Sequence, residues 1–248
     1  MQFHVLASGS KGNATFVYEN STGILIDCGI SKKQLLYRLK EVGFSENDID
    51  YVFLTHDHYD HSKNIHVFDK DKIYSAKGNM KDLDDYHTLI PYTHRQFGCL
   101  DVFVLRTSHD ASDPIGFIFS GEETLLYMTD TGYVTQKNRG YMKNLDYYII
   151  ESNHDIEMLM NTKRPIFLKN RILNDKGHLN NEYSARLMCE VIGEKTKEIV
   201  LAHLSQEANT KEKALETYCV VFKDQCICFD NIKVASQVNV VSGGKYED

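Results

Sequence analysis

Six residues, His56-Asp57-His58-Tyr59-Asp60-His61, constrain this chain more than any other stretch. They include three His and two Asp. The run follows Tyr51-Val52-Phe53-Leu54, an apolar and partly β-branched segment that reads as a buried strand. A strand ending this way sets two imidazoles two residues apart, with Asp60 and His61 offered from the turn behind them. Imidazole nitrogen suits zinc, and a carboxylate can bridge to a second ion or hold water. A polar loop rich in His by chance is the bland alternative, and the density of ligand types argues against it. A structural zinc site would be closed and would normally use Cys, and no Cys lies close by.

The 248 residues are read as one domain spanning 1–248, long enough for a sizeable core. No run of 18 apolar residues predicts a transmembrane helix. Met1-Gln2-Phe3-His4-Val5-Leu6-Ala7 lacks the basic start and long apolar stretch of a signal peptide, so a cytoplasmic protein is expected. The six cysteines (28, 99, 189, 219, 226, 228) have no framework spacing and are expected reduced. Cys226 and Cys228 read as same-face thiols of a strand, with a metal pair as the alternative. Net charge is 28 minus 35, or −7, which argues against a broadly cationic nucleic-acid coat. One basic track stands out: Lys163, Arg164, Lys169, Arg171 and Lys176 against Asp175. It is either a nucleic-acid contact or a solvated helix face.

Along the chain, Phe3–Ala7 reads as a strand and Ser8–Asn13 as a glycine-rich loop. Thr15–Tyr18 and Ile24–Ile26 form an expected hairpin with its turn near Ser21-Thr22-Gly23. Ser31 is an N-cap for a helix to about Val42, with Gly43 beyond its end. Segments 102–105, 115–119, 124–128, 147–150 and 198–202 read as strands, several ending in His, Asp or Glu. Helices are expected after His154, near 181–192 behind Asn180, and over 211–220. The last six residues, from Gly243, read as a frayed tail.

At this point the motifs resemble a known family. Thr55-His56-Asp57-His58-Tyr59-Asp60-His61 looks like the metal motif of the metallo-β-lactamase superfamily. The segments Leu6 to Asn13, Thr107 to Ala111, Thr129 to Tyr133, Glu151 to Asp155, Gly177 to Asn181 and Ala202 to Ser205 narrow the likeness. In this order they resemble its YycJ/WalJ (VicX) group, from about residue 4 to 210. The resemblance implies a four-layer αββα sandwich and a hydrolase with two divalent metals, zinc first and manganese as the alternative. For this group it implies a phosphodiesterase acting on DNA, a 5′ exonuclease. The chain is too short for the β-CASP insertion of the larger nucleases, and 150–203 leaves no gap for it.

Carried over position by position, His56, His58 and His109 would hold one metal, and Asp60, His61 and His203 the other, with Asp130 bridging. Asp60 would orient a metal-activated hydroxide. His178 would protonate the leaving oxygen or stabilise the phosphate, and Glu151 would hold its tautomer. Asp27 would support a ligand His or simply form a turn. Ser8, Ser10, Asn13, Asn153 and His154 are the substrate-contact candidates, each with a structural alternative. His4, His66, His87 and His94 are read as structural or exposed. DNA or a nucleotide is the expected substrate, with no membrane partner and the oligomeric state open. A cyclic-nucleotide phosphodiesterase and a non-catalytic regulatory or binding module are the competing readings.

Overall fold

Short, largely apolar runs separated by turns and helices build two mixed β-sheets. The computed structural model of the chain describes residues 1–245. Its strands are β1 Gln2–Ala7, β2 Ala14–Glu19, β3 Thr22–Ile26, β4 Tyr51–Leu54, β5 Ile73–Ser75, β6 His94–Phe97, β7 Leu100–Arg106, β8 Ile115–Ser120, β9 Thr124–Met128, β10 Tyr147–Glu151, β11 Glu198–Ala202, β12 Ile232–Val234 and β13 Val241–Gly244. Its α-helices are α1 Lys32–Glu41, α2 Tyr59–Ser62, α3 Gln136–Tyr141, α4 Ile156–Asn161, α5 Ile166–Leu173, α6 Asn181–Val191 and α7 Lys211–Asp224. None of them is long and apolar enough to cross a membrane. The chain divides into two compact units. The first takes Met1–Arg106, Ala111–Thr124 and the described residues from Ala235; the second takes Thr107–Asp110 and Leu125–Val234.

In the first unit, β13-β1-β2-β3-β4-β5 is the strand order. The β2–β3 hairpin closes through Asn20 and Ser21, at φ 44° and 63°. This is the two-residue left-handed turn that matches strand twist, so the turn lies ahead of the expected Ser21-Thr22-Gly23. After β3 the chain crosses over through α1 and returns as β4, parallel to β3. Ser31 caps α1 with a full capping box to Gln34. Phe44 N–H closes the other end on Leu39 O at 2.9 Å, with Gly43 at φ +87°. Leu35 and Leu39 are buried from α1, a burial that stabilises by about 1.5–3 kcal/mol per side chain. Gly243 and Gly244 are no tail: they pair with Phe3 and Gln2 of β1. Lys245 N–H also reaches Met1 O at 2.8 Å, and the last three residues of that expected tail, 246–248, lie outside the described residues. The strands β6, β7 and β8 form an antiparallel meander.

In the second unit β10 runs parallel to both β9 and β11, and β12 continues the parallel array. Parallel strands that are covered on both faces read as unbroken apolar runs, and β10 and β11 are buried along their whole length. Asn180 caps α6 through its side chain to Tyr183 N–H at 2.8 Å. Helix α7 runs four residues past its expected end at Val220. It stops on Cys226, which takes φ 56° while Ile227 N–H reaches Phe222 O and Cys226 N–H reaches Lys223 O. This left-handed cap removes the strand expected at Cys226-Ile227-Cys228, and both thiols are exposed. The basic track is discontinuous. Lys169 is buried and donates to Met160 O and Thr162 O, while Arg164 pairs with Glu207 and Arg171 with Asp110.

Candidate functional site

The first unit assembles its ligand types at the ends of β3 and β4. These strands are parallel, with Ile26 opposite Phe53, so Asp27 and Thr55 emerge beside one another. Asp27 takes φ 61°, a conformation uncommon outside glycine. Its carboxylate accepts from Thr55 N–H at 2.8 Å, from Thr55 Oγ1–H at 2.9 Å and from His61 Nδ1–H at 2.7 Å. Burial raises the Asp27 carboxyl above the ordinary range, and the His61 ring and the Thr55 donors oppose that rise. Thr55 Oγ1 gives its hydrogen to Asp27, so it accepts from His56 Nδ1 at 3.0 Å. Both buried imidazoles thus carry the proton on Nδ1 and leave the lone pair on Nε2. The His56 ring centroid lies 4.7 Å from that of His58 and 4.1 Å from that of His61.

The loop that follows is held from below. His58 is the residue preceding α2, and Asp60 and His61 lie in its single turn. Asn13 N–H donates to Asp60 O at 2.8 Å, and Asn13 Nδ2 reaches His61 Nε2 at 2.9 Å and Asp60 Oδ2 at 3.3 Å. A Cβ on Gly29 would stand 1.7 Å from Asp60 O, so only glycine lets the loop settle there. Asp57, the one acid of the run with no assigned role, turns away to accept from Ser112 Oγ at 2.5 Å.

The second unit builds its share at the carboxyl ends of β9, β10 and β11. Their register sets Ile150 opposite Met128 and Glu151 opposite Ala202. Asp130 and His203 follow the outer two strands and both take positive φ, 54° and 56°. Strained backbone of this kind concentrates at functional sites. Asp130 Oδ1 lies 3.7 Å from His109 Nε2, 3.5 Å from His203 Nδ1 and 3.8 Å from His178 Nδ1. His109 donates Nδ1–H to Gly177 O at 3.0 Å, which points its lone pair along Nε2. Burial lowers the His109 pKa, which favours the neutral ring.

Glu151 is the hub of this half. It is 0% exposed. One oxygen accepts from His178 Nδ1 at 2.7 Å and His203 Nδ1 at 3.1 Å; the other accepts from Thr131 N–H at 2.9 Å and Leu179 N–H at 3.3 Å. Burial alone would raise its pKa, but the His178 charge and these hydrogen bonds outweigh it and bring Glu151 down to about 2. Ligand atoms of Asp130, Glu151, His178 and His203 lie within 4.8 Å of one another, a spacing one ion accepts. Glu151, however, already takes four donors, the full capacity of a carboxylate. Two of those donors are the rings of His178 and His203, whose orientation the carboxylate fixes.

The substrate-contact candidates land in different places. Asn13 braces the metal loop, and Asn153 donates to His203 O at 2.7 Å. Ser8 is buried with its N–H on Ser236 O, and Ser10 is exposed. His154 is 0% exposed, and burial holds its ring down to about 4; the cap of α4 is Asp155. Sequence reasoning missed Thr55 and the carbonyl of Gly177 as partners of ligand rings. A Thr directly before the first His was the available signal for one; backbone carbonyls leave none. His4 is buried on Ser242, His87 and His94 pair with Asp84 and Asp101, and His66 is exposed.

Each unit offers donors that suit divalent metals: in the first, His56 and His61 with Nδ1 engaged by Thr55 and Asp27, and Asp60; in the second, His109 and His203 with Nδ1 engaged by Gly177 and Glu151, and Asp130. Comparison with known proteins agrees. A protein-family model described as "Beta-lactamase superfamily domain" matches residues 22–204. "Exodeoxyribonuclease WalJ" of Streptococcus pneumoniae is 35% identical over 228 residues, 86% of this chain and 85% of its own. "Exodeoxyribonuclease YycJ" of Bacillus anthracis is 34% identical over 238 residues, 91% and 90% of the two chains. Among solved structures, the metallo-β-lactamase fold protein YhfI of Bacillus subtilis aligns with TM-score 0.72 over 98% of this chain and 99% of its own, at 18% identity. That likeness establishes the expected α/β sandwich fold. Identity of about one residue in three along most of both chains makes this chain a member of the metallo-β-lactamase superfamily, within its WalJ/YycJ group.

Proposed function

We propose that this chain is a metal-dependent phosphodiesterase that degrades DNA as an exonuclease. The observation that carries the reading is its 34–35% identity, over 86–91% of the chain, to proteins named exodeoxyribonucleases. His56, His58, Asp60, His61, His109, Asp130 and His203 would hold two divalent ions, zinc first and manganese as the alternative. When bound, such ions supply a water of lowered pKa and neutralise charge on the phosphate. Asp60, steadied by Asn13, orients the attacking water. His178 gives a proton from Nε2 to the leaving oxygen, since its Nδ1–H is committed to Glu151 at 2.7 Å. The Glu151 carboxylate stabilises the charged ring and returns it to the same tautomer after each turnover.

The test is a substrate panel with protein reconstituted in zinc or manganese. It takes end-labelled single- and double-stranded DNA, RNA, and cyclic mononucleotides. Progressive loss of nucleotides from a DNA end is the expected result, and the label shows the polarity. Turnover of cyclic nucleotides with DNA left intact replaces the reading with a small-molecule phosphodiesterase. No hydrolysis of any substrate by metal-loaded protein leaves the binding-module reading.

A further inference from the structure

Helix α5 of the second unit packs Ile172 against Leu159 and Ala208, but the rest of its surface departs from an ordinary folding helix. It buries a lysine and exposes its aromatic. Lys169 is 8% exposed and holds two backbone carbonyls of the preceding turn, whereas Ile166 and Phe167 are 62% and 72% exposed. Ile156, Met160 and Leu173, on α4 and α5, are exposed as well. A concentrated exposure of large apolar side chains is the informative departure from a normal surface. Of the five cations in residues 156–176, Lys169 is buried and Arg164 and Arg171 are paired, while Lys163 and Lys176 are exposed on either side of the helix in sequence.

The segment leads directly to the chemistry. Phe167, Asn170, Arg171 and Asn174 follow the three- and four-residue spacing of one helix face. At its end the loop 174–178 is pinned to the ligand loop: Ser108 Oγ donates to Asp175 O at 2.7 Å, Asp110 N–H to Lys176 O at 3.1 Å and His109 Nδ1 to Gly177 O at 3.0 Å. Arg171 pairs with Asp110, the neighbour of His109. His178 follows immediately. The eight residues of α5 span about 12 Å, and at 3.4 Å per stacked nucleotide this is roughly three to four nucleotides.

We infer that α5 is a platform for the single-stranded end of the DNA substrate, with Phe167 stacking on a base and Lys163 and Lys176 meeting phosphates. Aromatic stacking beside cations is how proteins hold single strands without reading sequence. The inference rests on the nuclease reading and names where its substrate lies. It commits to DNA over a second copy of this chain because the exposed Phe167 lies between the exposed Lys163 and Lys176 in sequence, in the segment that runs into the loop of His178.

The experiment compares wild type with Phe167→Ala, Phe167→Tyr and the double variant Lys163→Gln/Lys176→Gln. Substrates are a long single-stranded oligonucleotide, a dinucleotide and bis(4-nitrophenyl) phosphate. Binding is read separately by anisotropy of a cleavage-resistant phosphorothioate strand. Phe167→Ala should raise KM and Kd for the long strand on the order of tenfold with kcat unchanged, and Phe167→Tyr should restore both. The double variant should flatten the salt dependence of binding. Turnover of the dinucleotide and the chromogenic ester should not move. DNA cleavage with unchanged KM and Kd overturns the platform alone. So does a dimer that Phe167→Ala splits while binding stays intact. Wild-type protein that hydrolyses the ester but leaves DNA whole overturns the nuclease reading, and the platform with it.

Discussion

Single side chains decide which nitrogen of each imidazole is offered to a metal. Asp27 does this for His61 and Glu151 for His203, and Glu151 likewise fixes the ring of His178. Asp27→Asn keeps an acceptor for Thr55 but loses the charged partner of His61. Metal affinity should fall about 10- to 100-fold with the fold retained, as read by competition with a chelator and circular dichroism. Glu151→Gln should weaken metal binding through His203 by about 10- to 100-fold, and at saturating metal it should still lower kcat on the order of 100-fold or more, because His178 loses the carboxylate that orients its ring. Elemental analysis beside steady-state kinetics separates this from ligand loss, which is the expected outcome for His58→Ala. The ligand types near residue 56 were legible because they are contiguous. Asp27 was legible only as a strand-ending acid, since its partner lies 34 residues away.

Elements set how these side chains are presented. Parallel pairing brings the carboxyl ends of β9, β10 and β11 to one edge, so Asp130, Glu151 and His203 emerge together. The caps of α1 and α6 were readable, since a side-chain oxygen beside an apolar-periodic run is local chemistry. The cap at Cys226 was not, because a left-handed cysteine lacks the glycine signal. Lys169 shows how composition misleads at this scale: counted as part of a cationic track, it serves the turn between α4 and α5. Lys169→Met should cost about 1–3 kcal/mol in denaturant unfolding. The salt dependence of DNA binding should not change, in contrast to Lys163 and Lys176.

Across the whole molecule, stability should depend on a histidine far in sequence from the ligand run. His4 is buried on β1, hydrogen-bonded to Ser242 of β13, and burial lowers its pKa to about 4. An unfolded His titrates near 6.5, so between about pH 6.5 and 4 the unfolded chain binds the extra proton. The native state is therefore fully favoured above that window and weakens as pH falls through it, by up to about 3 kcal/mol. His4→Gln should flatten this slope between neutral pH and pH 4, measured by urea unfolding at fixed metal content. An unchanged slope would assign the acid sensitivity elsewhere.

By itself, the order of residues determined the metal-binding run, the strands that end in ligand types, and the helices with side-chain caps. All of these depend on neighbours within a few positions, so spacing and residue type suffice. Tertiary structure alone decided that Gly243 and Gly244 close the edge of the first sheet, that Glu151 gathers four donors, and that α5 exposes Phe167 while burying Lys169. The reason is physical. A hydrogen-bond partner is chosen by sheet register and loop path, which join residues tens to hundreds of positions apart, and no local pattern records that choice.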